Sequence, residues 1–396
     1  MASVPAVPAG LVRKGSGDAG AGRPTSTSKA PGTARKQDTF FVLPIDETHP
    51  PSRGCAAALD DVEPHGIAAT YSFAAPEAGS YTTAIRFLGR RKDIDGAQPG
   101  PADQFDRTER VSLVGDGGQV SLTTRVKGVN PGQWRVVADA VTTLPDGTTR
   151  QHPRRVVETH TRFFTLAQGP RVQVWSWPLL VGLGAVVALV MQAWLANRTG
   201  IDVSSVLVLS LLGCLLGFVG GKVWYLALHR KPLKEFLHSG ACIQGFLLVS
   251  LGVLAVGSAI LSLPLRSVLD VTTPGIFLGV AVGRPGCFLT GCCTGRPTTS
   301  AWGLVSSDRR LTLRRNPVQL VEAAAGLVIG VLGLVAVLAG VPVPGSLFVA
   351  SIAGYTLVRQ VLFPLRADSH TRVGRIVTMI IAGLVVAGAA ATFAVG

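Results

Sequence analysis

Acidic and aromatic side chains are scarce in this 396-residue chain: 23 aspartates and glutamates face 37 lysines and arginines, and aromatics make up 6%. The formal net charge of +14 would suit nucleic acid, but the basic residues are not interleaved with aromatics, so the stacking platforms of a nucleic-acid binder are missing. Anionic lipid is the partner this charge favours. Cysteine is also sparse. Cys55 is alone in the first half, so no disulfide framework braces that half, and a reducing environment suits it. Residues 1–36 have no continuous apolar run, which predicts the absence of a secretory leader there. Their Ala, Gly, Pro, Ser and Thr content predicts a disordered tail. His65, His152 and His160 are scattered among polar residues and form no catalytic constellation.

What the first half does have is β pattern. Runs at 39–43, 67–73, 81–87, 110–114, 119–126, 133–141 and 158–166 are rich in β-branched and aromatic residues and bounded by turn formers such as Asn130-Pro131-Gly132 and Pro145-Asp146-Gly147. Several alternate: Val120, Leu122 and Thr124 oppose Ser121 and Thr123, and Trp134, Val136 and Ala138 oppose Arg135 and Val137. Seven short strands predict an all-β immunoglobulin-like or fibronectin-like sandwich over 37–168, a binding or spacer module whose fold names no activity.

The second half is mostly hydrocarbon. Apolar runs at 172–195, 203–228, 241–263, 268–289, 318–338, 342–362 and 376–395 each reach the roughly 20 residues needed to cross a bilayer. They predict a polytopic α-helical membrane domain of seven transmembrane helices over 169–396. Basic residues crowd the loops on one face: Arg230, Lys231 and Lys234; Arg296, Arg309, Arg310, Arg314 and Arg315; Arg366, Arg372 and Arg375. The opposite face holds little beyond Arg198 and Arg266. The positive-inside rule places the basic face in the cytoplasm. A basic mouth that gathers anionic lipid produces the same asymmetry on either side, and both readings stand.

Residues able to do chemistry lie on that basic face. Gly283-Arg284-Pro285-Gly286-Cys287-Phe288 ends the fourth span, and an arginine at such a depth usually faces a wet cavity or an anion. His238 begins the third span. Tyr355, Arg359 and Arg366, at i, i+4 and i+11, share one face of a continued helix, so two guanidiniums converge where a phosphate can accept bidentate hydrogen bonds. Glu322, near Gln319 at the start of the fifth span, needs a cationic partner, and Arg314 or Arg315 is expected to supply it. Cys287, Cys292 and Cys293 are candidate reactive thiols. At i, i+5 and i+6 they do not project along one line, and no second cysteine pair completes a zinc set. Packing or thiol reactivity is therefore expected rather than a metal. Arg284 and Arg296 would favour the thiolate.

Taken together, Gly283–Phe288, Gly291, Gly295-Arg296-Pro297-Thr298 and Ala301-Trp302-Gly303 resemble the signature of prolipoprotein diacylglyceryl transferases. Gly220-Gly221-Lys222-Val223-Trp224-Tyr225, His238-Ser239-Gly240, Asn316-Pro317-Val318-Gln319-Leu320-Val321-Glu322-Ala323 and the Tyr355, Arg359, Arg366 group resemble further family segments, in order. The chain differs from that pattern at Cys287, Thr290 and Cys292, where the family has asparagines and a glutamate, and at Phe363, where it has a glutamate. The resemblance implies a plasma-membrane enzyme that moves a diacylglyceryl group from phosphatidylglycerol to the lipobox cysteine of a prolipoprotein. It needs no cofactor. His238, Arg284 and Arg359 would be catalytic, with Lys222, Tyr225, Gly286, Gly295, Arg296, Gln319, Glu322, Tyr355 and Arg366 binding substrate. A non-enzymatic lipid-binding or sensing protein on the same fold, or another lipid-dependent transferase using the cysteines, would share these features.

Overall fold

The computed structural model describes residues 41–43, 62–63, 66–94, 99–161, 165–166, 169–236, 240, 242–367 and 372–395. The 1–36 tail, Cys55, His65 and His238 lie outside the described residues.

The polar half forms strands β1 (Phe41–Leu43), β2 (Val62–Glu63), β3 (Gly66–Ala74), β4 (Ser80–Arg91), β5 (Gln104–Val114), β6 (Gln119–Lys127), β7 (Gln133–Thr143), β8 (Thr149–Gln151), β9 (Arg155–His160) and β10 (Thr165–Leu166). Two antiparallel sheets result, with a separate β2–β10 pair. One sheet runs β5-β4-β7, with β8 and β9 both on β7. Period-2 burial drives it: in β7, Trp134, Val136, Ala138 and Ala140 point inward while their neighbours do not. They meet Ile67, Tyr71 and Phe73 of β3 and Ile85 and Phe87 of β4 in one core.

The other sheet departs from simple alternation, because both faces of β3 and β6 are buried. The hydroxyls that alternation would put in water are instead paired across strands, Thr70 with Thr123 and Ser72 with Ser121, each at 2.7 Å. Pairing offsets the cost of burying them.

That sheet is completed by a hairpin that the sequence disguises as a basic loop. β11 (Leu304–Ser307) and β12 (Leu311–Arg315) lie between two membrane helices, and β12 pairs with β6, Leu311 opposite Leu122 and Thr312 opposite Ser121. Leu313 enters the core shared by the two sheets. Arg309 and Arg315, counted above as loop charges, are 5% and 3% exposed. Arg309 donates to the Thr290 carbonyl, while Arg315 donates to the Gly295 carbonyl and pairs with Asp308. The β-rich half and the membrane half are thus joined by hydrogen bonds as well as by chain.

The apolar half forms α1 (Ser176–Arg198), α2 (Val203–Leu228), α3 (Ile243–Ile260), α4 (Leu265–Thr290), α5 (Val318–Ala339), α6 (Ser346–Leu362) and α7 (Arg372–Val395). Six are long and apolar enough to cross a membrane; α3 is the shorter one. At about 1.5 Å per residue, its 18 residues reach about 27 Å against a hydrocarbon core of about 30 Å. Glycines set the closest contacts. Gly184 and Gly279 face each other across α1 and α4, where an added Cβ on either would lie 2.5–2.7 Å from the opposite carbonyl oxygen. Gly326 and Gly330 bring α5 nearly as close to α4, where an added Cβ would lie 2.9–3.0 Å from Phe277 and Leu278, and Gly333 sits in ordinary contact with Pro274. The glycine-alanine stretch of α7 packs differently: Ala382 and Ala389 are buried, but Gly383 and Gly388 face open space.

Gly279→Ile should wedge α1 from α4 and lower stability by about 1–3 kcal/mol, read as a fall in the thermal unfolding midpoint in detergent. Gly383→Ile should leave the midpoint unchanged. Equal behaviour of the two variants would refute this packing.

Candidate active site

Every acidic residue inside an apolar helix needs a partner, and Glu322 has three. It sits in the second turn of α5 with no exposed surface. Arg366 donates from Nη1 to Oε1 at 2.7 Å, Arg359 Nε lies 3.5 Å from the same oxygen, and Arg284 Nε lies 3.0 Å from Oε2. Arg284 comes from the last two turns of α4 and Arg359 from the last turn of α6. Arg314 and Arg315, expected from their nearness in sequence, are not the partners. Arg314 faces Asp116, and Arg315 is held by Asp308. The strands of the hairpin carry both away from α5.

Arg366 also arrives by a different route from the one its spacing suggests. α6 stops at Leu362, a 3-10 turn covers Phe363–Leu365, and Arg366 is extended, with φ −87° and ψ 150°. No continued helical face links it to Tyr355 and Arg359. Instead it is placed by the signature segment, which runs as an extended strip between two others. Arg296 donates its backbone N–H to the Leu365 carbonyl, and Ala367 donates to Thr294; on the other side, Asn316 donates to Arg296 and Thr298 to Arg314. Arg296 adds a hydrogen bond from Nε to the Arg366 carbonyl at 2.9 Å. The strip demands glycine at 295, because a Cβ there would lie 2.0 Å from the Asn316 carbonyl oxygen. Arg296 thus bonds the backbone on both sides of the Arg366 peptide, a contact its charge alone did not reveal.

Tyr355 lies between these groups and the packed interior. Its ring tilts against Phe277 at 5.5 Å, and its buried hydroxyl, beside Arg284 and Glu322, meets no hydrogen-bond partner of good geometry among the described residues. Gln319, one turn before Glu322, donates to the Cys292 carbonyl at 3.0 Å. Gly286 packs against Ser176 and Trp177 of α1.

Lys222 and Tyr225 are on the carboxyl end of α2, which packs on α3. Lys222 donates to the Phe236 carbonyl at 2.9 Å and lies over the Phe218 and Phe236 rings, while Tyr225 stacks on His229 at 4.1 Å. The antiparallel helix order puts them at the same end of the bundle as Arg284, although their described contacts are with α2 and the segment after it. A separate cleft of about 830 Å³ opens where Pro297–Thr299 meets the β-rich half, lined also by Tyr81, Asp116, Leu144 and Arg314. Burial, reinforced by the charge of Asp116, pushes the Tyr81 phenol up to about 12.

Fold and site define a multi-pass membrane protein whose apolar helices converge on a buried cationic cluster at one end. Residues 164–393, more than half of the chain, match the family described as prolipoprotein diacylglyceryl transferase, and the chain belongs to that family. A phosphatidylglycerol–prolipoprotein diacylglyceryl transferase 2 of Clostridium perfringens is 27% identical over 146 residues, 34% of this chain and 55% of that protein. Similarly named transferases of Rhodopirellula baltica and Dehalococcoides mccartyi are 31% and 34% identical, over 33% and 30% of this chain and 29% and 47% of their own lengths. The chain thus spans about half or less of these relatives.

Replacing Glu322 by glutamine should leave three guanidiniums without a counter-charge, costing about 3–5 kcal/mol as broken buried ion pairs do. The check is the thermal midpoint in neutral detergent. An unchanged midpoint would mean that the arginines do not depend on this carboxylate.

Proposed function

We propose that the protein transfers the diacylglyceryl group of phosphatidylglycerol to the lipobox cysteine of prolipoproteins at the plasma membrane. The observation that carries this reading is the mismatch at Glu322, where three guanidiniums share one carboxylate. A formal excess of positive charge among apolar helices is costly unless an anion joins it, and a lipid phosphate supplies that anion with its tails still in hydrocarbon. Arg284 and Arg359 keep 17% and 31% of their side-chain surface exposed, whereas Arg366 and Glu322 are sealed at 3% and 0%. The first two are the arms that receive phosphate, and the latter pair is the fixed base beneath them.

In the reaction the thiol sulfur attacks the terminal diacylglyceryl carbon. A C–S bond forms, the C–O bond to phosphate breaks, and glycerol phosphate leaves with the bond's electron pair. Negative charge then grows on the phosphate oxygen, where Arg284 and Arg359 stabilise it without reorganising. The Tyr355 hydroxyl donates to the same headgroup. His238 takes the thiol proton, a step worth about 10²–10⁴-fold in general-base catalysis. Lys222 and Tyr225 hold the lipid or peptide on the α2 side, with Gly286, Gly295, Arg296 and Gln319 shaping the floor. In this reading α3, which runs antiparallel along α2, is the seventh span, the sheets before it are an immunoglobulin-like sandwich, and the units divide as 1–36, 37–168 and 169–396.

The test incubates the purified full chain with phosphatidylglycerol and a synthetic lipobox peptide and follows the thioether adduct by mass spectrometry. Arg284→Ala and Arg359→Ala should each lower its rate by about 10²–10³-fold, the scale of losing one transition-state donor, with the fold intact. If the wild-type chain makes no adduct while an active transferase does so in the same assay, the protein is a lipid binder on this fold and the transferase reading fails.

A further inference from the structure

The three thiols of the signature are brought together by a turn that their spacing hides. Cys287 lies in the last turn of α4, and Gly291 follows the helix with φ 78°, the left-handed conformation that ends helices and turns the chain back. The N–H groups of both Gly291 and Cys292 then bond to the Cys287 carbonyl, at 3.1 and 3.0 Å. This reversal lays Cys292 beside Cys287 instead of further along the axis. Cys293 is also left-handed, with φ 53°, a conformation that non-glycine residues adopt rarely, and it points its sulfur at the other two. The three sulfurs all lie within 4.8 Å of one another. Three thiolates at about 2.3 Å around one ion sit about 4 Å apart, so the cluster is within a small adjustment of ligation.

We propose that Cys287, Cys292 and Cys293 form a binding site for a thiophilic d10 metal ion. Soft thiolates select Cu(I) and Zn(II) over hard cations. Three sulfurs alone complete a trigonal Cu(I) site, whereas Zn(II) needs a fourth donor, and the described residues offer no other His, Asp, Glu or Cys in the group. Cu(I) is accordingly the better fit. Binding forms three metal–sulfur bonds and releases three thiol protons to solvent, with no change of oxidation state. The resulting anionic complex has a counter-charge at hand, since Arg284 lies within electrostatic reach of Cys287 and Cys293. Cys287 and Cys292 are buried at 3% and 6%, which excludes competing ligands, and the more open Cys293 gives the ion a way in. The Cys292 carbonyl accepts from Gln319, one turn from Glu322, so the site adjoins the arginine cluster but shares none of its ligands.

The experiment titrates the reduced, anaerobic full chain with Cu(I) against a chromophoric Cu(I) chelator, and separately with Zn(II). One equivalent should bind, with thiolate-to-metal absorption in the ultraviolet and X-ray absorption reporting three sulfurs on the ion. Capture of Cu(I) alone identifies the trigonal site; capture of Zn(II) identifies a four-coordinate one that recruits water. Cys287→Ser, Cys292→Ser and Cys293→Ser should each weaken binding by more than about 100-fold, exceeding the loss typical of outer-shell changes. Cys214→Ser, at an exposed position on α2, should change nothing. The proposal is overturned if neither ion is retained, if fewer than three sulfurs surround the ion in the wild-type chain, or if Cys214→Ser weakens binding as much as the other three. None of these readouts depends on lipid transfer, so failure here leaves the transferase reading standing, and the reverse.

Discussion

The Glu322 cluster is the constraint on which the membrane half depends. One carboxylate with no exposed surface receives Arg284 from α4, Arg359 from α6 and Arg366 from the chain beyond it. Such a charge can enter an apolar bundle only if its partners are already aimed at it. The carboxyl ends of α4 and α6 must therefore meet the amino end of α5 at one level. Glycines on α5 that pack closely on Phe277 and Leu278 of α4 hold these two helices together beside the cluster.

The extended strip around Gly295 and the hairpin after it supply the rest of the alignment. The strip pairs with residues before α5 on one side and after α6 on the other, so Arg366 is fixed by backbone hydrogen bonds and not by helix geometry. The hairpin then adds β12 to the amino-terminal sheet and places Leu313 in its core. A contiguous set of hydrogen bonds thus runs from β6 through β12 and Arg315 to Gly295 and Arg366. The β-rich half acts as a brace for the signature segment as well as a separate surface.

Much of this organisation was legible in the residues. Hydropathy marked seven apolar segments, and each became a helix within a few residues, because a long, mostly apolar run satisfies its own backbone hydrogen bonds only as a helix. Alternation found most strands of the two sheets because burial on one face selects every second side chain: Trp134, Val136 and Ala138 share the inner face of β7. It found only the second half of β5, 110–114, because Arg107 and Glu109 put charges on the face that Phe105, Val111 and Leu113 turn to the core, and it missed β11 and β12, whose arginines read as a solvated loop. Arg310 and Arg314 are paired with Glu109 and Asp116 far back in the chain, and Arg309 is held by the Thr290 carbonyl, partners that no local pattern records.

The candidate site divides along the same line. By itself the sequence determined which groups are unusual, since Arg284, Glu322, Arg359, Arg366 and three cysteines beside apolar runs are costly wherever they lie, and it determined the family through their order. Only the tertiary structure decided who meets whom. Glu322 bypasses the adjacent Arg314 and Arg315 for three arginines up to 44 residues away, and Gly291 folds Cys292 back onto Cys287. Both outcomes follow from geometry that spacing along one helix cannot express: the ends of three antiparallel helices share a level, and one left-handed residue reverses the chain.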